Sequence, residues 1–203
     1  MIGFYDYTVI ATYCALVFGM SGIFAAAEGR EIAAVLCLLL AGLLDAFDGR
    51  IARTKKNRTA NEKRFGIQLD SLNDVICFGV LPACLGFGLG HRQWWYLTSL
   101  CFFALTALIR LAYFNVLEEE RQDATNEKRS HYLGMPVTMA TLFVPLLYIL
   151  YSMSESAAVW AVGLFLLGVL FIAPIRVKKA GMTGILLMSV LGLGEFLWIF
   201  FVL

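Results

Sequence analysis

Apolar residues fall in seven runs separated by short polar breaks, at about 8–27, 32–48, 69–89, 94–114, 134–153, 157–175 and 182–203. Each approaches the ~20 residues an α-helix needs to cross a bilayer. The second is short if it stops at Asp45, and the seventh is broken by Glu195. The pattern predicts an all-α fold, a polytopic membrane bundle of six to seven transmembrane helices. No Pro- or Ser-rich linker divides it, so residues 1–203 read as a single domain. The stretch from Leu117 to Ser130, which mixes both charge signs, reads as a solvated loop without a catalytic role.

Composition strengthens the membrane reading. The chain is 60% hydrophobic with a mean hydropathy of +0.77, against roughly 45–50% apolar in soluble domains. The first seven residues hold no Lys or Arg. A cleavable signal peptide opens on a basic stretch, so the first run is expected to stay as a membrane helix. The basic residues then set orientation. With the N-terminus cytoplasmic, all of the 16 Lys and Arg except Arg30 and Arg92 lie on the inner side. Trp94, Trp95 and Tyr96 fall where an outer aromatic belt belongs. The net charge of +1 gives no reason to expect a nucleic-acid partner. Five cysteines lie in apolar stretches without a C-x-x-C pair, and only His91 and His131 are present. Zinc sites, disulfide frameworks and His-based triads are therefore poor fits.

Against this apolar background, four aspartates stand out between residues 44 and 82. One aspartate at mid-membrane costs about 2.5–3.5 kcal/mol on insertion scales, and such residues usually mark function. Asp45, Asp48, Gly49 and Ala52 are spaced i, i+3, i+4 and i+7, one face of a helix. Asp70 and Asp74 are i, i+4 on the next helix, with Gly66 one turn upstream. Antiparallel neighbours joined on the inner side would gather the four carboxylates at the mouth of the bundle. Unpaired, they would repel and take up protons. Hard divalent cations, Mg²⁺ or Mn²⁺, prefer such oxygen donors, and four aspartates can bridge two ions about 3.5–4 Å apart. Gly49 and Ala52 leave room on that face, and Arg53 offers a fixed positive charge for phosphate.

The arrangement D-x2-D-G-x2-A-R followed by G-x3-D-x3-D resembles the signature of the CDP-alcohol phosphotransferase family. Every fixed position is present: Asp45, Asp48, Gly49, Ala52, Arg53, Gly66, Asp70 and Asp74. The twelve-residue gap between Arg53 and Gly66 and the continuation L-D-S-L-N-D-V-I-C-F-G-V-L-P-A are similar to the phosphatidylserine synthase branch. R-L-A-Y-F-N at 110–115 and G-M-P-V-T at 134–138 match more loosely.

The resemblance implies a membrane bundle, usually homodimeric, with a polar cavity open to the cytoplasm. It implies CDP-diacylglycerol and L-serine as substrates and two divalent cations as cofactors. Asp45, Asp48, Asp70 and Asp74 would be metal ligands. Asp45, Gly49, Ala52, Arg53, Gly66 and Asp70 would bind the cytidine diphosphate, and Asp74 would be the general base. Spacing leaves open whether Asp74 is mainly ligand or mainly base. Arg110 either clamps the acceptor's carboxylate or snorkels from its helix end. The branch pattern has Arg where this chain has Tyr113, and Ser where it has Cys77. Rival acceptors are glycerol-3-phosphate and inositol phosphate. An ion-coupled transporter using the same carboxylates is a different class, against which stands the lack of a second copy of the Asp motif. Asp6 reads as a helix N-cap, with Thr8 in reach of a nucleotide, and Glu195 as distant from the acidic cluster and paired, protonated or at a subunit contact.

Overall fold

The computed structural model describes residues 3–55, 57, 59–124, 131–178 and 182–202. Eight α-helices account for nearly all of them: α1 (Ile10–Ala27), α2 (Glu31–Thr54), α3 (Ala60–Asp74), α4 (Leu81–Gly88), α5 (Trp94–Ala124), α6 (Ala140–Ser154), α7 (Ala157–Ile172) and α8 (Met182–Val202). A π-helical turn, Val75–Val80, joins α3 and α4 into one continuous rod. Among the described residues, five helical stretches are long and apolar enough to cross a membrane: Tyr7–Ala27, Glu31–Ala52, Asn61–Gly88, Trp94–Glu120 and Val137–Ser154. Ala157–Ile172 and Leu187–Val202 are shorter apolar helices. The expected all-α membrane bundle is what forms, and the protein is an integral membrane protein.

Small residues bring the first helices together. Lipid tails are as apolar as the helices, so packing in a bilayer relies on close backbone approach. Ala11, Ala15, Gly19, Gly22 and Ala26 make a buried stripe on α1. A Cβ on Gly19 would sit 2.5 Å from the Cys77 sulfur, and one on Gly22 would sit 2.9 Å from both Cys37 and Leu81. The stripe thus lets α1 pack against α2 on one side and the α3–α4 rod on the other. Further along, Phe78, Leu81, Leu85, Phe103, Trp160, Leu164 and Phe171 fill the centre between α4, α5 and α7. Large apolar residues such as Val17, Leu105, Ile109 and Phe165 stay exposed, as a lipid-facing surface requires.

Two features depart from the sequence reading. The charged stretch beginning at Leu117 is helical through Ala124; L-E-E-E-R-Q-D-A is rich in strong helix formers, so α5 simply runs on beyond its apolar part. Residues 125–130 of that stretch lie outside the described residues. Second, β1 (His131–Leu133) pairs antiparallel with β2 (Arg176–Lys178) in a short ribbon. The ribbon joins the segments before α6 and after α7. Beside it Gly134 has φ +80°, and a Cβ there would lie 2.6 Å from the Phe171 carbonyl oxygen, so only glycine fits.

Candidate active site

The acidic cluster forms where α2 and the α3–α4 rod part company. α2 packs against the π turn and α4, while α1 packs against both α2 and α3 and fills one flank of the gap. A capping box fixes where α3 begins: Thr59 Oγ1 accepts from the Glu62 amide at 3.2 Å, and the Glu62 carboxylate accepts from the Thr59 amide at 2.7 Å. Starting there, the helical period carries Gly66, Asp70 and Asp74 along one face toward α2.

Asp45, Asp70 and Asp74 each place a carboxylate oxygen within 4.8 Å of the other two. Asp74 is buried, and its Oδ1, like Asp70 Oδ1, has no hydrogen-bond partner among the described residues. Buried polar atoms are nearly always paired in folded proteins. Two orphaned carboxylate oxygens at one point, beside a third carboxylate, are a donor set suited to a hard cation. Asp48 stands one turn beyond Asp45. It accepts a 3.5 Å hydrogen bond from Thr12 Oγ1 and, with Asp70, lines the adjoining cavity.

That cavity has a volume of about 150 Å³. Its walls are Thr8, Val9 and Thr12 from the first helix, Asp48, Gly49 and Ala52 from α2, and Lys63, Gly66, Ile67 and Asp70 from α3. The structure therefore assembles Asp48, Gly49, Ala52, Gly66 and Asp70 around one opening, with Asp45 and Asp74 in the acidic cluster that Asp70 shares. Thr12 and Lys63 were not anticipated. A helical reading could have found both, since Thr12 follows Thr8 by one turn and Lys63 shares the face of Gly66 and Asp70. The Arg53 side chain lies outside the described residues.

Asp6 caps the first helical turn, accepting from the Thr8 amide at 2.7 Å and from the Thr8 hydroxyl. Lys55 Nζ lies 2.7 Å from Asp6 and 2.8 Å from Glu62, pinning the chain's start, the end of α2 and the start of α3 together. The Lys55 ammonium holds the Asp6 carboxyl at about 2, below its ordinary value of 3.8, and the same pairing raises the Lys55 pKa. A depressed carboxylate keeps its stabilising charge above its ordinary pKa and loses it as pH falls through about 2. The pair therefore stays charged throughout pH 5–9. Lys55→Met is expected to lower turnover no more than a few-fold and to leave the shape of the pH–rate profile in that window unchanged, which a rate series in matched-ionic-strength buffers measures.

Arg110 is buried; its Nε donates to the Met135 carbonyl at 3.1 Å and its guanidinium lies 5.1 Å from the Phe114 ring centre. It anchors the turn ahead of α6 and is not among the described residues lining the cavity. Tyr113 is half exposed, on the same outer stripe of α5 as Leu105, Ile109 and Val116. Cys77 is buried and donates to Asn73 Oδ1 at 3.4 Å and to the Ala15 carbonyl at 3.5 Å. On α8, Glu195 Oε2 is buried without a hydrogen-bond partner among the described residues.

The family model for CDP-alcohol phosphatidyltransferases matches residues 8–173, from the first helix to the end of α7. The chain is 30% identical over 183 residues to the CDP-diacylglycerol–serine O-phosphatidyltransferase of Helicobacter pylori, covering 85% of this chain and 71% of that protein. It is 31% identical over 168 residues to the archaetidylserine synthase of Methanothermobacter thermautotrophicus, covering 82% and 66%. A CDP-diacylglycerol–serine O-phosphatidyltransferase of Saccharomyces cerevisiae is 38% identical over 101 residues. That match takes in 49% of this chain and 35% of the yeast protein, so the chain aligns with about a third of it. With the family's match extending over most of the bundle, this chain belongs to the CDP-alcohol phosphatidyltransferase family.

Proposed function

We propose that the protein transfers the phosphatidyl group of CDP-diacylglycerol to the hydroxyl of L-serine, giving phosphatidylserine and CMP. The observation that carries this reading is an open cavity that shares Asp70 with a cluster of three carboxylates, two of which keep a buried oxygen unpaired among the described residues. The names of the relatives support serine in particular. The bacterial and archaeal relatives differ in the lipid they are named for and share serine.

Asp45, Asp48, Asp70 and Asp74 would hold two divalent cations, Mg²⁺ or Mn²⁺. When bound, these supply Lewis-acid polarisation of the pyrophosphate and neutralise charge on the departing CMP. The chain's own residues do the rest. Gly49, Ala52 and Gly66 keep the cavity wall smooth enough for the nucleotide to lie against the helix backbones. Lys63 adds a donor to the same wall, where the Thr8 and Thr12 hydroxyls donate to Asp6 and Asp48, and Arg53 follows Ala52 on α2. The serine hydroxyl is a poor nucleophile near neutral pH and must lose its proton as it attacks. Asp74, at the buried end of the cluster, accepts that proton. The serine oxygen then bonds to the phosphorus that carries the diacylglycerol, and the bond from that phosphorus to the CMP oxygen breaks. The acyl chains remain in lipid throughout.

The reading includes a cytoplasmic active site and N-terminus, from the distribution of Lys and Arg, and a homodimer in the membrane. Tyr113 lies on an exposed stripe, so the lack of an arginine there removes no group from the described cavity wall. The test is CMP release by purified protein with CDP-diacylglycerol and Mn²⁺, comparing serine, glycerol-3-phosphate, inositol phosphate and no acceptor. Release is expected with serine alone; release with a different acceptor alone would keep the family and overturn the serine assignment.

A further inference from the structure

Away from the cavity, α3 and α5 are joined by a run of side-chain hydrogen bonds that the reaction does not use. Ser71 Oγ donates to Asn115 Oδ1 at 2.8 Å, Asn115 Nδ2 donates to Gln68 Oε1 at 3.3 Å, and Gln68 Nε2 donates to Glu119 Oε1 at 3.2 Å. Gln68 and Ser71 are i, i+3 on α3, and Asn115 and Glu119 are i, i+4 on α5. The four residues therefore interlock as a ladder between two facing helix stripes. Each amide donates through its nitrogen and accepts through its oxygen, so the ladder has one consistent direction.

We propose that this ladder is a brace that sets the rotation of α3 and so holds Asp70 and Asp74 against Asp45, with Asn115 as its central positioning residue. The proposal rests on the reading that these carboxylates hold divalent cations. α3 itself offers few apolar side chains to pack, in A-N-E-K-R-F-G-I-Q-L-D-S-L-N-D; besides its run into α4, its contact with α1 and the Lys55–Glu62 pair at its start, the ladder is its side-chain tie to α5. In their ionised form, three carboxylates within 4.8 Å of one another also repel until a cation binds. Ser71 follows Asp70 directly and precedes Asp74 by three residues, so fixing it fixes both. The leverage is large. A carboxylate about 5–6 Å from the helix axis moves about 2 Å when the helix turns by about 20°. Productive sites tolerate errors of about 0.5 Å. Within a bilayer, interhelical hydrogen bonds are among the few forces able to resist such a turn.

The test uses the full chain purified in detergent, with free Mn²⁺ followed by electron paramagnetic resonance during titration, alongside thermal melting and CMP release. Asn115→Leu keeps the branched outline of the side chain and removes both bonds that Asn115 makes. It is expected to weaken Mn²⁺ binding about tenfold and to lower kcat by more than tenfold, with the melting temperature nearly unchanged. Ser71→Ala removes a single rung, leaves α5 intact should Asn115→Leu misfold, and is expected to give a smaller shift in the same direction. The exchange Ser71→Asn with Asn115→Ser restores a bond across the gap and should recover part of the Mn²⁺ affinity. Unchanged Mn²⁺ affinity in folded Asn115→Leu or Ser71→Ala would overturn the brace while leaving the cation reading in place. Wild-type protein that binds no Mn²⁺ would overturn the cation reading and the brace with it.

Discussion

Asp74→Asn is expected to lower CMP release by about 10³-fold or more while the protein still folds. A positioned general base contributes typically 10²–10⁴-fold, and the same change withdraws one carboxylate from the group of three. Asparagine has nearly the same shape, so the packing around the buried position should survive. Removing a negative charge from a repelling cluster should leave the melting temperature unchanged or higher. Loss of activity together with loss of the fold would mean that Asp74 serves structure; loss of activity in stably folded protein is the expected result. The effect on Mn²⁺ affinity then separates the two roles. A base acts on turnover alone, whereas a ligand also shifts the Mn²⁺ concentration at half-saturation.

Gly86→Val should do the reverse. A Cβ on Gly86 would lie 2.3 Å from Trp160 Nε1 and 2.7 Å from Leu100 Cδ2. Trp160 is fully buried, and the Gly86 carbonyl accepts a 2.7 Å hydrogen bond from the Tyr96 hydroxyl. Neither neighbour can retreat without disturbing the junction of α4, α5 and α7. Overpacking a well-filled core costs typically 1–3 kcal/mol, and valine adds two methyl groups beyond the Cβ that already clashes. The expected result is a markedly lower melting temperature in detergent. Gly86 lies about 18 Å along the rod from Asp74, so the fraction that remains folded should bind Mn²⁺ with wild-type affinity. Normal stability in this variant would show that the helices at this junction are free to move apart.

The bundle and its acidic cluster were legible in the sequence because both are periodic. Runs of about 20 apolar residues and carboxylates at i, i+3 and i+4 are local patterns, and a helix turns them directly into a face. What the sequence left hidden depends on contacts between distant segments. Charge alone made the stretch after Leu117 look like a loop, although its residues are strong helix formers and α5 continues through it. The ribbon of β1 and β2 pairs residues more than forty positions apart, with no turn between them to announce it. Arg110 looked equally suited to bind an acceptor or to snorkel; its hydrogen bond to the Met135 carbonyl, 25 residues away, could not be read from spacing. Thr12 and Lys63 share helix faces with Thr8 and with Gly66 and Asp70, so their spacing was readable, but that those faces meet around one cavity shows only when α1, α2 and α3 converge. The Ser71–Asn115 bond likewise needs two helices to meet.

The most direct test of the central claim is the transfer of radiolabelled serine into organic-extractable lipid by the purified protein, given CDP-diacylglycerol and Mn²⁺. Label should enter the lipid in step with CMP release, stop when the cation is chelated, and be lost in Asp74→Asn. Label that stays in the aqueous phase, from folded protein supplied with both substrates and cation, would contradict the assignment of this protein as a serine phosphatidyltransferase.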